Sequence, residues 1–212
     1  MSQAIGIFGG TFDPIHQGHL KPVKAAAQQI GLDKVYLLPC HIPPHKGAPE
    51  VSSAQRREMV ALVCGEDRLF ELDDRELNAD VPSYTVNTLR QYRLEHPDSP
   101  LMFFMGMDSF NSFHRWVQWQ EITDLAHLVV CLRGHHQPDW NDDIQTLLKQ
   151  RRTERPKELH RQPAGLIYLA DTPELTLAST DLRRHLRQGQ ADSSEIPEAV
   201  LNYIQQHGLY RS

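Results

Sequence analysis

Short apolar runs alternate with longer amphipathic ones along most of this chain. The apolar runs predict strands at Ala4–Phe8, Lys34–Leu38, Leu69–Leu72, Leu101–Met105, His127–Cys131 and Leu166–Leu169. The amphipathic runs predict helices at Gln17–Ile30, Ser53–Cys64, Tyr84–Glu95, Thr180–Arg187 and Pro197–His207. Strands that alternate with helices form βαβ units, in which the strands lie parallel. We therefore predict the α/β class, with a Rossmann-like, mostly parallel sheet and helices on both faces.

The chain is long enough and apolar enough to bury one substantial core. It has 212 residues, of which 40% are hydrophobic and 23% are charged, and both fractions are ordinary for a globular protein. Leu101–Met105 is apolar at every position, as expected of a central strand covered on both faces. The polar stretch from about residue 134 to 163 is interpreted as a solvated helix and loop. We predict a single domain over residues 1–212.

Charge and hydropathy argue against two classes of partner. The 22 basic and 27 acidic side chains give a formal net charge of −5, which argues against a general nucleic-acid binder. No apolar stretch approaches the length of a membrane span, and no signal-peptide pattern opens the chain. We expect a cytoplasmic protein that binds neither nucleic acid nor membranes.

The three cysteines, Cys40, Cys64 and Cys131, are far apart and form no Cys-x-x-Cys pair. We interpret them as reduced thiols that serve as small apolar side chains, since neither a disulfide framework nor a cysteine zinc site fits this spacing. A metal site at Cys40, His41 and His45 is the weaker alternative, because no fourth ligand is evident on that proline-rich loop.

The segment Gly-Gly-Thr-Phe-Asp-Pro-Ile-His-Gln-Gly-His, residues 9–19, joins the first predicted strand to the first predicted helix. Gly9 and Gly10 would let the backbone come close to phosphate oxygens. His16 and His19 would lie on one face of the first helical turn. The segment has neither a Gly-x-Gly-x-x-Gly fingerprint nor the lysine of a P-loop. It predicts a polyphosphate pocket beyond the carboxyl end of the strand; the alternative is that His16 caps the helix and His19 packs in a core.

A second candidate segment, Ser179-Thr180-Asp181-Leu182-Arg183, lies late in the chain. Ser179 or Thr180 is expected at the N-cap of a helix, with Arg183 one turn further on. Hydroxyls, free amides and the helix dipole attract anions at such a position, and a guanidinium suits phosphate oxygens. Many helices begin this way for capping alone, so the segment carries weight only together with the first one.

These two segments resemble the signature motifs of the adenylyl- and cytidylyltransferase superfamily. Intermediate motifs make the chain similar to bacterial nicotinate mononucleotide adenylyltransferases in particular. They are Pro43-Pro44-His45-Lys46, Ser83-Tyr84-Thr85, Gly106-Met107-Asp108-Ser109 and Trp116, and they occur in the family's order. The resemblance spans nearly the whole chain and ends in Gly208-Leu209-Tyr210-Arg211.

The resemblance implies an ATP half-site built from both segments. It assigns three catalytic residues, His16 and His19 on the ATP phosphates and Arg183 on the departing pyrophosphate. The other ATP-binding positions that it implies are Gly9, Gly10, Thr11, Gly18, Gly106, Asp108, Ser179 and Thr180. Asp108 would lie near the ribose hydroxyls, and a helix N-cap is the alternative for it.

The acceptor half-site implied by the resemblance consists of His45, Lys46, Thr85, Trp116 and Arg133. Trp116 would stack on the pyridine ring, and amides near Thr85 and Val117 would receive the nicotinate carboxylate. Lys46 and Arg133 are the candidates for the mononucleotide phosphate. A half-buried structural aromatic is the alternative for Trp116, and a merely stiffened loop is the alternative for His45.

Three positions depart from the family pattern. Cys40 stands where many relatives carry asparagine, Val117 where an aromatic is frequent, and Ala178 where serine is usual. At Cys40 a side-chain amide contact to substrate would be missing, and at Ala178 one hydroxyl donor is lost while the helix terminus remains. At Val117 two alternatives stay open: the change is harmless if the position acts through its backbone amide, and it affects substrate affinity if the side chain matters.

The implied reaction is transfer of the adenylyl group of ATP to nicotinate mononucleotide, giving deamido-NAD and pyrophosphate in NAD biosynthesis. A phosphate monoester is already nucleophilic at neutral pH, so alignment and charge neutralisation are the expected means of catalysis. Mg²⁺ is expected to bridge the phosphates through substrate oxygens and water, without a metal cage of protein ligands. Two alternatives stay open, namely a related enzyme that uses nicotinamide mononucleotide and a non-catalytic nucleotide sensor. The sequence leaves the oligomeric state open.

Overall fold

The computed structural model describes residues 3–41, 48–78, 82–131, 138–173, 175 and 177–211. Seven strands form one parallel sheet in these residues, in the order β3-β2-β1-β4-β5-β7-β6. They are β1 (Ile5–Gly10), β2 (Val35–Pro39), β3 (Phe70–Leu72), β4 (Leu101–Gly106), β5 (His127–Cys131), β6 (Arg152–Thr153) and β7 (Ile167–Ala170). The predicted α/β class is therefore confirmed, and every predicted strand lies within two residues of its predicted bounds.

The helices of the described ranges are α1 (Gln17–Ile30), α2 (Ser53–Glu66), α3 (Thr85–Glu95), α4 (Met107–Asn111), α5 (Trp119–Leu125), α6 (Asp142–Arg151), α7 (Ser179–Arg187) and α8 (Glu198–Gln206). The five predicted helices are present. We did not predict α4 and α5, because helices of five and seven residues are too short to show a hydrophobic period. Helix α6 lies in the polar stretch that was interpreted as a solvated helix and loop. Within the described parts of the chain, no helix is both long and apolar enough to cross a membrane.

Alternate residues of the central strand β4 belong to two cores, one on each face of the sheet. Met102 and Phe104 pack in a cluster with buried side chains of α1, α2 and α8. Leu101, Phe103 and Met105 pack in a second cluster with side chains of α3, α5 and α6. All five strand residues are buried, which confirms a central strand with helices on both faces.

The strand order reverses between β1 and β4, where the chain crosses from one half of the sheet to the other. Both strands end in glycine, β1 at Gly9-Gly10 and β4 at Gly106. The two strands are paired in parallel, with Ile7 opposite Phe103, so these ends open onto the same edge of the sheet. Open α/β sheets bind their ligands at such a switch point.

None of the three cysteines forms a disulfide with another. Cys40 and Cys131 are buried, and Cys64 is partly buried. Burial raises the pKa of the Cys64 thiol to about 12, which suppresses the reactive thiolate.

His127 at the start of β5 is a buried histidine that holds two backbone groups. The Leu166 amide donates to Nδ1 at 3.0 Å, so in the neutral ring Nε2 carries the proton and donates to the Gln162 carbonyl oxygen at 2.8 Å. Burial lowers the pKa of this histidine below its ordinary value, although the hydrogen bond to Gln162 acts in the opposite direction. Protonation would place an Nδ1–H against the Leu166 amide.

Because the folded-state pKa of His127 is lowered, its contribution to stability is complete above the unfolded-state value near 6.5 and is lost as the pH falls below it. We expect the free energy of unfolding to fall less steeply between pH 7 and pH 5 in His127→Gln than in the wild type. Urea titrations across that range measure the slope, and His207→Gln, at an exposed histidine, is the control. Equal slopes for His127→Gln and the wild type would contradict this account.

Candidate active site

The two glycines at the end of β1, Gly9 and Gly10, have different surroundings. A Cβ on Gly10 would lie 2.7 Å from the Phe12 ring, so the fold itself requires glycine there. A Cβ on Gly9 would meet only the Leu38 carbonyl oxygen, at 3.9 Å. No described residue therefore requires glycine at position 9, and Gly9 lines a cavity where the phosphate of a ligand could approach.

The two histidine rings lie against each other at the start of α1, with their planes tilted by 31°. His16 occupies the N-cap position and is fully buried, and His19 is 9% exposed. Their ring centroids are 3.7 Å apart, and the Phe12 ring packs edge-on against His19 at 5.3 Å. The His16 amide donates to His19 Nδ1 at 3.3 Å, so the neutral His19 ring carries its proton on Nε2. His16 does occupy the cap position that we named as its structural alternative, while His19 also lines a cavity.

The late segment contacts the first one directly. Ser179 Oγ lies 3.2 Å from His16 Nε2, although the two residues are 163 positions apart in the chain. Gly18 makes this approach possible, because a Cβ there would lie 3.0 Å from both the His16 ring and Leu177 Cβ. The helix begins one residue earlier than predicted, with Ala178 at the N-cap and Ser179 at the first helical position. The prediction of Ser179 or Thr180 as the cap was therefore wrong, and both hydroxyls lie in the first helical turn.

Arg183 makes ion pairs and backbone contacts at the rim of this site. Its Nε lies 2.9 Å from Glu50 Oε1, and its Nη1 donates to the Asp13 carbonyl oxygen at 2.9 Å. Arg187 donates to the other carboxylate oxygen of Glu50. Burial would raise the pKa of Glu50, but the hydrogen bonds and charges of Arg187 and Arg183 hold it below the ordinary value. The Arg183 guanidinium, which the family resemblance assigns to pyrophosphate, is therefore paired with the Glu50 carboxylate.

Asp13 joins the same loop to the end of the chain. Its Oδ1 accepts a hydrogen bond from the Tyr210 hydroxyl at 2.7 Å, and its Oδ2 accepts one from the Glu50 amide at 2.8 Å. Asp13 and Tyr210 are each 5% exposed. Burial and the neighbouring carboxylate raise the pKa of Tyr210, so the phenol keeps its proton and remains the donor.

Two neighbouring cavities open at the carboxyl ends of β1 and β4. The smaller, of about 120 Å³, is lined by residues of both motifs, including Gly18, His19, Gly106 and Ser179. The larger, of about 350 Å³, reaches the lower end of the size range of small-molecule sites. Walls shared by both cavities come from Gly9, Gly10, Thr11, Phe103, Asp108, Ser109 and Trp116. The shared walls make the two cavities one cleft.

The cleft contains most of the predicted site residues. The larger cavity is lined by Thr85, at the start of α3, and by Val117 next to Trp116. The ring of Trp116 packs edge-on against Phe113 and Phe103, with centroids 5.6 and 6.2 Å away. Trp116 is therefore both a structural aromatic and a cavity wall. Asp108 lies in the first turn of α4, and the N-cap is Gly106, so the N-cap alternative for Asp108 was wrong.

Among the predicted site residues that the structure describes, three line neither of these two cavities. His16 is fully buried and contacts Ser179, and Thr180 and Arg183 contact each other at 3.5 Å in the cluster around Glu50. His45, Lys46 and Arg133 lie outside the described residues. The assignments to these three residues stay predictions.

The structure adds Glu76, which we did not predict. Its side chain lines the larger cavity, and Thr88 Oγ1 donates to its Oε1 at 2.6 Å. Burial raises the pKa of Glu76, while hydrogen bonds from Thr88 and Ser83 act in the opposite direction. Ser83 Oγ in turn accepts a hydrogen bond from the His41 amide at 3.1 Å. These hydrogen bonds connect His41, Ser83, Glu76 and Thr88, which belong to separate segments around the larger cavity. No local pattern in the sequence predicts the network.

Comparison with known proteins agrees with this geometry. A family model described as cytidylyltransferase-like matches residues 7–185. A Yersinia pestis protein named probable nicotinate-nucleotide adenylyltransferase is 46% identical over 207 residues, which cover 97% of this chain and 94% of that protein. The chain belongs to this family. An Escherichia coli member with the same name is 45% identical over an alignment of 213 positions, which covers 100% of each chain.

Solved structures of the family share the fold. The nicotinic acid mononucleotide adenylyltransferase of Plasmodium falciparum, in complex with APC, superposes with a TM-score of 0.74 at 18% identity, over 99% of this chain and 98% of that one. The complex of the same enzyme with NaAD gives a TM-score of 0.73 at 18% identity and the same coverage. At this identity the likeness establishes the common architecture.

Proposed function

We propose that this protein is a nicotinate-nucleotide adenylyltransferase, which transfers the adenylyl group of ATP to nicotinate mononucleotide and releases pyrophosphate. The observation that carries the proposal is the 3.2 Å contact between His16 and Ser179, because it joins the two motifs, of which His19 and Ser179 line the smaller cavity. The name shared by relatives 45–46% identical over nearly the full chain supports the same reaction.

The cleft provides two half-sites for the two substrates. The smaller cavity, with His19, Gly106 and Ser179, would hold ATP, and the larger one, with Thr85 and Trp116, would hold the mononucleotide. A phosphate oxygen of the mononucleotide attacks the α-phosphorus of ATP, and the bond from that phosphorus to the bridging oxygen breaks as pyrophosphate leaves. No protein group becomes covalently modified, so the protein contributes alignment and donors to developing negative charge.

Mg²⁺, which neutralises phosphate charge when bound, fits this arrangement as a companion of ATP. Among the described residues, no group of three histidine, cysteine, aspartate or glutamate side chains could hold a metal ion. We therefore propose that phosphate oxygens and water hold the ion, as Mg²⁺ prefers. His19 and Ser179, which line the smaller cavity, would contact the phosphates, and the buried His16 would position Ser179.

The start of α3 supports a preference for nicotinate over nicotinamide. Helix α3 begins at Thr85 in the wall of the larger cavity, and the side chain of its N-cap residue, Tyr84, makes no capping hydrogen bond. Amide N–H groups at a helix N-terminus favour a carboxylate over a neutral amide. We propose that these amides receive the nicotinate carboxylate.

Purified protein, ATP, Mg²⁺ and a panel of mononucleotides test the proposal, with pyrophosphate release and dinucleotide formation as the two readouts. We expect nicotinate mononucleotide to have the highest kcat/KM. A higher kcat/KM for nicotinamide mononucleotide would favour the rival acceptor, and nucleotide binding without product would favour a sensor. Because ATP is the proposed substrate, we also propose a cytoplasmic location, which fractionation of cells would test.

Glu50 competes with the proposed ligand of Arg183. We expect Glu50→Gln to lower the KM for ATP about two- to fivefold, since a partly exposed ion pair contributes about 0.2–1 kcal/mol and its loss frees the guanidinium for phosphate. Steady-state kinetics at fixed saturating acceptor measure the change. Glu58→Gln is the matched control, because Glu58 pairs with Arg57 on the exposed side of α2. An increased KM would instead mean that Glu50 orients Arg183 for binding.

A further inference from the structure

Arg56 is a fully buried arginine on α2 that holds two loops of the cleft. Its side chain has no exposed surface. One nitrogen, Nη1, donates to the carbonyl oxygens of Thr11 and Cys40, both at 2.7 Å. The other terminal nitrogen, Nη2, donates to Ser53 Oγ at 3.1 Å and to the His41 carbonyl oxygen at 3.4 Å. All four partners are uncharged groups.

The charge of Arg56 has no counter-ion in the described part of the chain. No carboxylate of those residues lies within 4.0 Å of its guanidinium, and its buried Nε has no hydrogen-bond partner there. A buried charge without an opposite partner is costly for a folded protein. Carbonyl dipoles offset part of that cost, and an anion bound nearby would offset more.

The two carbonyl groups belong to different half-sites. Thr11 lines both cavities, and Cys40 lines the larger one. The loops also contact each other directly, since the Cys40 amide donates to the Gly10 carbonyl oxygen at 2.9 Å. The positive charge of Arg56 therefore lies one peptide group behind the wall that the two substrates would share.

We propose that Arg56 is a positioning residue with two separable effects on adenylyl transfer. Its charge favours the binding of both phosphate-bearing substrates. Its planar fork fixes the two loops for the reaction, because Nη1 joins Thr11 to Cys40 while Nη2 is anchored on Ser53 and His41. The inference rests on the proposed function. A lysine would keep the charge but lose the planar fork, so the two effects can be measured apart.

The test compares Arg56→Lys, Arg56→Met and Arg56→Gln with the wild type, in steady-state kinetics for each substrate and in calorimetric binding of a non-hydrolysable ATP analogue. For Arg56→Lys we expect both KM values to stay within threefold and kcat to fall about tenfold. For the two neutral variants we expect both KM values and the dissociation constant of the analogue to rise about tenfold, because a unit charge at this depth acts on that scale. Arg57→Met is the control, since Arg57 is a partly exposed neighbour paired with Asp74.

The lysine variant decides between the proposal and a purely structural role. If Arg56→Lys weakens binding as much as Arg56→Met, or if the neutral variants bind like Arg57→Met, the charge has no part in binding and the proposal is overturned. Unchanged kcat in Arg56→Lys would overturn the role of the fork. Thermal unfolding shows which variants are folded, and Arg56→Gln, which keeps donors, replaces Arg56→Met if that variant is not. If the wild type makes no dinucleotide, the proposed function is contradicted instead. Binding of the ATP analogue would still test whether the charge of Arg56 favours nucleotide binding.

Discussion

His19→Ala is expected to lower kcat about 10²- to 10³-fold, the usual loss when one preorganised donor to developing charge is removed. The His16 amide holds His19 Nδ1 at 3.3 Å, so the ring is oriented before substrate arrives. The KM for ATP should change much less than kcat, because the contact strengthens as the transition state forms. Steady-state kinetics with saturating acceptor measure both constants.

His207→Ala is the matched control for this variant, since His207 is an exposed histidine on the last turn after α8. Thermal unfolding would show whether loss of the packing between His19 and Phe12 destabilises the protein. A folded His19→Ala variant with kcat within threefold of the wild type would refute the assigned role.

Asp13→Ala is expected to lower the free energy of unfolding by about 3 kcal/mol. Removal of the carboxylate leaves the Tyr210 hydroxyl without its acceptor in a buried site and the Glu50 amide without its acceptor in a partly buried one. An orphaned buried donor costs about 1–3 kcal/mol, and the partly buried amide adds to that loss. The substitution also removes the carboxylate oxygen 3.7 Å from Arg183 Nη1. Urea unfolding measures the change.

Tyr210→Phe provides the matched comparison, because it deletes the hydroxyl and leaves the carboxylate with its other donor. We expect a loss of about 1–2 kcal/mol, and less than additive loss in the double variant, since the two groups share one hydrogen bond. Full additivity would mean that the hydroxyl and the carboxylate act independently. An Asp13→Ala variant as stable as the wild type would show that water replaces the carboxylate.

Local patterns in the sequence predicted most of the architecture. The strand at Leu101–Gly106 has apolar side chains at successive positions, and that pattern predicts a strand buried on both faces. The capping box at α2 was equally readable, because Ser52 and Gln55 are three residues apart and do exchange hydrogen bonds at 3.0 and 3.2 Å. The short helices α4 and α5 could not be predicted, since their stability comes from packing rather than from a repeating pattern of their own.

The site was predicted unevenly for the same reason. Arg56 had a readable signal, since it shares the apolar stripe of α2 with Met59, Val60 and Val63, and an arginine on such a stripe is either paired or functional. Glu50 and Asp13 had no such signal. Their partners, Arg183 and Tyr210, lie 133 and 197 positions away, and no local pattern specifies contacts across that separation.

The sequence by itself determined the class of fold, the order of its elements and the two motifs that suit phosphate, because strand and helix periods and glycine conformations are properties of neighbouring residues. Only the tertiary structure decided that His16 meets Ser179, that Arg183 is held by Glu50, and that a buried Arg56 lies behind both half-sites. Those outcomes depend on how distant segments share one sheet edge. Burial and charge pairing, unlike periodicity, exist only once the chain has folded.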